Sequence, residues 1–195
     1  MKPLTTADIV DIAQYERERP EYRPHMIELK KHRRVEVGPI VTLIFENRDT
    51  VRFQIQEMIR AERIVLDDRI REEVDIYNEL VPAAGQLTAT LLIEITDQAN
   101  LRTILDRMIG IDHGNTTFLV IGDERIEGVY EGGHSKEMRV SAVHYVTFDL
   151  TPEQEAAMAL GGPEVSIVIE HPNYHESKVL PDDVRESLAT DLIDA

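Results

Sequence analysis

Ile40-Val41-Thr42-Leu43-Ile44-Phe45-Glu46-Asn47-Arg48-Asp49-Thr50-Val51 decides how the chain is read. Ile40 to Phe45 is almost wholly apolar, which predicts a buried strand. From Asn47 the period changes: Val51, Ile55, Met58 and Ile59 recur at helical spacing, with Asp49 or Thr50 as the cap. A buried strand therefore feeds directly into a helix. Upstream, Val35 to Val37 and a Gly38-Pro39 turn supply another strand. Earlier still, Thr5 with Asp8 three residues on predicts a capped helix that carries Ile9, Ile12 and Ala13, with Leu4 stapled against Ile9. Pro20 and Pro24 are expected to break the chain, so that Met26 to Arg34 forms a short second helix.

Downstream, Ile70, Val74, Tyr77 and Val81 continue the helical spacing until Pro82 and Gly85 stop it. Ala89, Leu91, Ile93 and Ile95 alternate as a strand, and Asp97 caps a helix striped by Leu101, Ile104, Leu105, Met108 and Ile109. Thr116 to Ile121 and Arg125 to Tyr130 read as a hairpin around Gly122-Asp123. Gly132-Gly133 then leads to a long strand, Val140 to Leu150. Thr151-Pro152-Glu153-Gln154 starts a helix, Val165 to Ile169 is a last strand, and Pro181 opens a final acidic helix. This order predicts an α+β fold with a mixed, mostly antiparallel sheet packed with several helices. Residues 1–195 read as a single domain, with 1–34 set apart as a candidate N-terminal helical lobe.

The chain has 195 residues, 42% of them hydrophobic, and contains no cysteine. That length buries enough surface to fold without staples, and the missing thiols exclude a cysteine nucleophile or an iron–sulfur cluster of its own. No segment approaches the apolar length of a membrane span, so a cytoplasmic protein without membrane partners is expected. Charge is divided unevenly. Residues 1–71 hold 14 of the 21 basic and 13 of the 37 acidic residues, whereas 72–195 hold 7 and 24, a net of −17. Nucleic acid is a poor partner for such a field. The basic run from Arg17 through Lys30, Lys31, Arg33 and Arg34 reads either as a solvated helical face or as a docking surface for an acidic partner.

The densest polar constellation surrounds the strand-to-helix junction: Glu46, Asn47, Arg48, Arg52, Gln54, Gln56, Glu57, Arg60 and Arg63. Unpaired amides at a helix start favour an anion, and an arginine fork can clamp one. The alternative is an exposed helix supported by polar pairs one turn apart. Histidine suggests less. His171 and His175 have the interval of a helical metal pair, but Pro172 and Asn173 imply a turn between them, and no metal or other cofactor is expected. His144 alternates with apolar residues and reads as a hydrogen-bonded core side chain. Glu131-Gly132-Gly133-His134 imitates a di-iron motif, yet its glycines oppose a helix. Neither a serine elbow nor a phosphate loop occurs, so no reaction class is assigned.

Phe45-Glu46-Asn47-Arg48-Asp49-Thr50-Val51, continued by Gln54 to Met58 and Arg60 to Ile64, resembles an uncharacterised bacterial family, one of the domains of unknown function. The similarity extends to Tyr15-Glu16-Arg17, Pro20, Tyr77-Asn78-Glu79-Leu80, Val140 to Val143, His171-Pro172 and Tyr174. Genes of that family commonly neighbour those of rubrerythrin and heterodisulfide-reductase-like iron–sulfur proteins. The resemblance implies an accessory, cofactor-free binding protein in a peroxide or redox-stress system, docking to an iron–sulfur or rubrerythrin-type partner. A small-molecule anion binder or enzyme with its pocket at residues 46–63 is the alternative, and a homodimer is compatible with either.

Overall fold

Six helices and nine strands form, among the described residues, the order α1 (Ile12–Lys31), β1 (Arg34–Val37), β2 (Val41–Glu46), α2 (Arg48–Glu62), α3 (Asp67–Tyr77), β3 (Gln86–Ile93), α4 (Leu101–Arg107), β4 (Thr117–Ile121), β5 (Glu124–Glu127), β6 (Val129–Tyr130), β7 (Val143–Asp149), α5 (Pro152–Ala157), β8 (Val165–His171), β9 (Tyr174–Val179) and α6 (Asp182–Ile193). The structure is a computed structural model that describes residues 1–97, 99–131, 141–159 and 161–193. Gly132-Gly133, His134 and the Val140 start of the long strand lie outside the described residues.

The strands build two antiparallel sheets, β1-β2-β3-β7-β6 and β5-β4-β8-β9. The fold is α+β, as expected. Gly128 joins them. β5 ends in one sheet, Gly128 N–H donates to Thr117 O at 2.8 Å, and the chain continues as β6 in the other. A Cβ on Gly128 would stand 2.6 Å from Val146 Cγ2, so the crossing needs a residue without a side chain. The inner faces of both sheets share one core with α6, including Leu43, Phe45, Leu91, Phe148, Ile167 and Leu188. A second apolar cluster, Leu4, Val51, Ile55, Ile59, Val74 and Leu80, joins α2 and α3 to the N-terminal segment.

Local structure differs from expectation in several places. Asn47, and not Asp49 or Thr50, caps α2, Asn100 and not Asp97 stands at the start of α4, and the expected Arg125 to Tyr130 strand is split at Gly128 between the two sheets. Thr5 and Asp8 do close a capping box, but over a single 3₁₀ turn at Thr6–Asp8; α1 starts later, where Asp11 accepts from Gln14 N at 2.8 Å. Pro20 and Pro24 do not end that helix, and Met26 to Arg34 is not a separate one. The two prolines stand four residues apart and both are exposed, so water can reach the carbonyls they leave unbonded. Packing of Tyr15 and Met26 holds the helix across the defect. The striped segment near Leu101 yields only the seven-residue α4, with Leu101 exposed and Met108 buried beyond its end. Finally, β9 extends past Asn173. Only its first residue, Tyr174, is buried, so it carries no alternation for sequence reading to detect.

Candidate functional site

Most of the polar constellation on α2 grips the chain's own N-terminal segment. Gln56 is buried and its amide accepts from Val10 N at 2.8 Å and donates to Val10 O at 3.2 Å. Asn78 treats Leu4 in the same way, accepting from its N at 2.8 Å and donating to its O at 2.9 Å. Two side-chain amides thus pair with peptide groups as a neighbouring strand would. Arg48 adds Asp8 Oδ1 at 2.6 Å and Lys2 O at 3.2 Å, and Arg52 adds Asp8 O at 2.7 Å. The Arg48 guanidinium and the Thr5 N–H hold the Asp8 carboxyl down at about 2.

Glu57 links α2 to α1. It accepts Arg19 Nε at 2.7 Å and Nη2 at 3.0 Å, with Tyr15 OH at 2.7 Å, and the Arg19 contact is the chief reason its carboxyl falls to about 2. Arg60 reaches Glu57 at 3.4 Å and Glu16 at 3.7 Å. Glu46 is buried at the end of β2 and accepts from Thr50 Oγ1 at 2.5 Å, Gln54 Nε2 at 2.9 Å and Thr90 Oγ1 at 2.6 Å. Asn47 caps α2 by accepting from Asp49 N and Thr50 N. The junction, where an anion pocket at residues 46–63 is the expectation, is filled by protein groups, and α2 is not the exposed helix of the alternative either. Arg63 stands apart. It ends α2 in the left-handed conformation, φ 54°, lies exposed, and makes no ion pair among the described residues.

The basic run is dispersed too. Arg33 is 1% exposed and is not a surface residue. It forms an ion pair with Asp191 and donates to Phe45 O at 2.8 Å, Glu46 O at 3.1 Å and Ser187 Oγ at 3.0 Å. Spacing alone could not reveal this, because the partner lies in α6. Burial raises the Asp191 carboxyl even though Arg33 opposes the shift. Arg34 pairs with Glu94 at 2.6 Å, Lys31 with Glu28 at 2.6 Å, and Lys30 Nζ lies 5.7 Å from the Phe53 ring centre.

Open space occurs where the N-terminal segment meets the α2–α3 corner. A cleft of about 440 Å³ is lined by Ile9, Ile12, Ile59, Ile64, Ile70 and Arg71 among others. An adjoining groove of about 750 Å³ runs past Asp11, Glu16, Arg60, Ala61 and Arg63. Val65, 71% exposed, stands between them. Asp11 is committed to its cap and Glu16 faces Arg60, so Arg63 and Arg71 supply the uncommitted positive charge beside an apolar floor. Asp67 is the opposing carboxylate at this rim. Arg60 Nε is buried there without a hydrogen-bond partner.

The histidines lie elsewhere. His171 Nε2–H donates to Ile109 O at 2.9 Å while Nδ1 accepts from Asn173 N at 3.3 Å, in the tight turn that joins β8 to β9. His175 is exposed and His171 buried, so the two rings do not converge. His144 is buried and donates to Ser141 O at 2.7 Å, as a core histidine should. Asp112, which no motif singled out, stands 3.6 Å from His144 Nδ1.

A family model described as "Protein of unknown function (DUF3501)" matches residues 3–192. A crystal structure described as a novel protein of unknown function from Burkholderia pseudomallei K96243 is similar over 98% of this chain and 100% of that one, with 33% sequence identity and a TM-score of 0.90. No curated protein matches.

Proposed function

We propose that this chain, which belongs to the DUF3501 family of proteins of unknown function, is an accessory binding protein without a cofactor. It acts by docking a partner protein in the cleft at the α2–α3 corner. The observation that carries this reading is the combination, on one accessible surface, of the apolar floor of Ile12, Ile59, Ile64 and Ile70 with the uncommitted guanidinium groups of Arg63 and Arg71. That surface suits a partner segment presenting an apolar side chain flanked by carboxylates. The resemblance in Phe45 to Ile64 suggests the partner class, an iron–sulfur or rubrerythrin-type protein of a cytoplasmic peroxide or redox-stress system.

Tagged wild-type chain and an Ala61→Glu, Arg63→Glu variant, recovered from the native host under mild conditions, test it. Both positions are exposed, so neither change enters the core, and an unchanged melting temperature checks that the variant is folded. The wild type should retain such a partner and the variant at least tenfold less, on the order of a 1.4 kcal/mol loss. Recovery of no iron–sulfur or rubrerythrin-type protein, or equal recovery by both forms, overturns the proposal.

The unpartnered Arg60 Nε favours one second reading, a small anion held between Arg60 and Arg63. A carboxylate or phosphate at about a hundredfold excess over its dissociation constant should then stabilise the protein by about 2.7 kcal/mol. Absence of a thermal shift across a panel of such anions removes this alternative.

A further inference from the structure

Leu66, Arg69, Glu73 and Ile76 fall at intervals of three, four and three residues along α3 and its N-cap, which places them on one stripe of the helix. That stripe is distinct from the inward face, where Val74 is buried and Ile70 and Tyr77 pack on the second apolar cluster. Leu66 is 62% and Ile76 61% exposed, large values for apolar side chains on a helix that already has a packed face. Hollows flank both ends. One of about 550 Å³ lies among Met58, Arg63, Leu66 and Arg69, and one of about 270 Å³ among Glu73, Ile76, Tyr77 and Glu79.

The stripe is palindromic in its chemistry. Reversed about its midpoint near Arg71, apolar falls on apolar and basic on acidic. We infer that α3 is a dimerisation helix whose occupant is α3 of a second copy of this chain, packed antiparallel. A two-fold axis beside Arg71 sets Leu66 against Ile76 of the second copy and Arg69 against its Glu73, and the same pairs recur with the copies exchanged. In the single chain Arg69 meets only the exposed Glu72, at 3.2 Å, and Glu73 has no ion pair among the described residues. The second copy supplies both the missing apolar cover and the opposite charges. A heterologous partner would need neither the reversal symmetry nor the matched spacing. This surface lies on the other side of α3 from the Ile70 and Arg71 rim of the proposed docking cleft; Arg63 and Val65 border both, so the substitutions at Arg69 and Glu73 are the ones that test the dimer apart from the docking cleft.

Sedimentation of the full chain from about 1 to about 200 µM, with charge variants, tests the assignment. The wild type should pass from 22.3 kDa toward twice that mass as concentration rises. Arg69→Glu and Glu73→Arg each place like charges across the axis and should weaken association at least tenfold, whereas the double swap restores complementarity and should recover it to within about threefold. A second measurement uses the absence of cysteine from the chain. Leu66→Cys mixed with Ile76→Cys should cross-link under mild oxidation faster than either variant alone. A wild type that stays monomeric throughout overturns the inference. So does a dimer indifferent to the single swaps, a double swap that fails to recover, or cross-linking that shows no preference for the mixed pair.

Discussion

Arg33 shows how much of this molecule depends on single buried polar groups. Its guanidinium holds a carboxylate from α6 and two carbonyls from the β2–α2 junction, so Arg33→Ala would strand all three away from water. Breaking a buried pair in this way costs about 3–5 kcal/mol, which a chemical denaturation series should register as a lowered midpoint. Charge reversal at Arg33 would consequently report on folding and not on docking. Gln56→Ala removes both contacts to Val10 and should cost about 1–3 kcal/mol, with the N-terminal segment becoming the first site of limited proteolysis. Asp8 and Glu57 contribute to the response to acid. Both folded-state values lie at about 2, below the unfolded carboxylate range near 4, so the stability they add is complete above that range and lost as pH falls toward 2. Glu57→Gln should therefore destabilise at pH 7 by about 1 kcal/mol, and the gap to wild type should close in melts taken progressively nearer pH 2. Sequence reading found the residues of this network but not their partners. Gln56 and Val10, or Arg33 and Asp191, are distant in sequence, and nothing in a helical wheel says that an amide will pair with a peptide brought to it from elsewhere.

At the scale of elements, patterns were legible where a run is almost wholly apolar, where one helix face alone is buried, or where cap and turn chemistry is explicit. The Val41–Glu46 strand, the helix after Asn47, the Thr151 capping box and the Gly122-Asp123 hairpin all appear where periodicity and turn chemistry put them. The failures have a common cause, namely local preference overridden by packing. α1 passes through two prolines because its buried face is anchored by Tyr15 and Met26 and by the Arg19–Glu57 pair. Pro24→Ala should return a backbone donor to the exposed side of this helix and raise stability by about 1–3 kcal/mol, visible as a higher melting temperature. A lowered melting temperature would mean that the prolines shape α1 to fit α2. Gly128 carries the opposite expectation. Gly128→Val forces a side chain into Val146 and Phe148 and should cost about 1–3 kcal/mol or more, since the close contacts include the Thr117 carbonyl as well as side chains.

Across the whole molecule, two apolar clusters divide the work. The sheets and α6 make one interior, and the helical layer of the N-terminal half makes the other and carries the clefts at the α2–α3 corner. The part of the chain with a net charge of −17 begins at residue 72, so Arg63 and Arg71 stand near a boundary between opposite surroundings. Among the described residues no helix is long and apolar enough to cross a membrane, and no group of three or more metal-ligating His, Cys, Asp or Glu side chains is assembled. A reading of the molecule as a docking protein therefore depends on its helical layer. The most direct measurement places a photoreactive amino acid in the native host at position 61 or 63, with 125 and 176 on the exposed sheet surface as controls. Partner adducts from 61 and 63 and not from the controls are predicted; adducts from the sheet positions alone, or equally from all four, contradict the account.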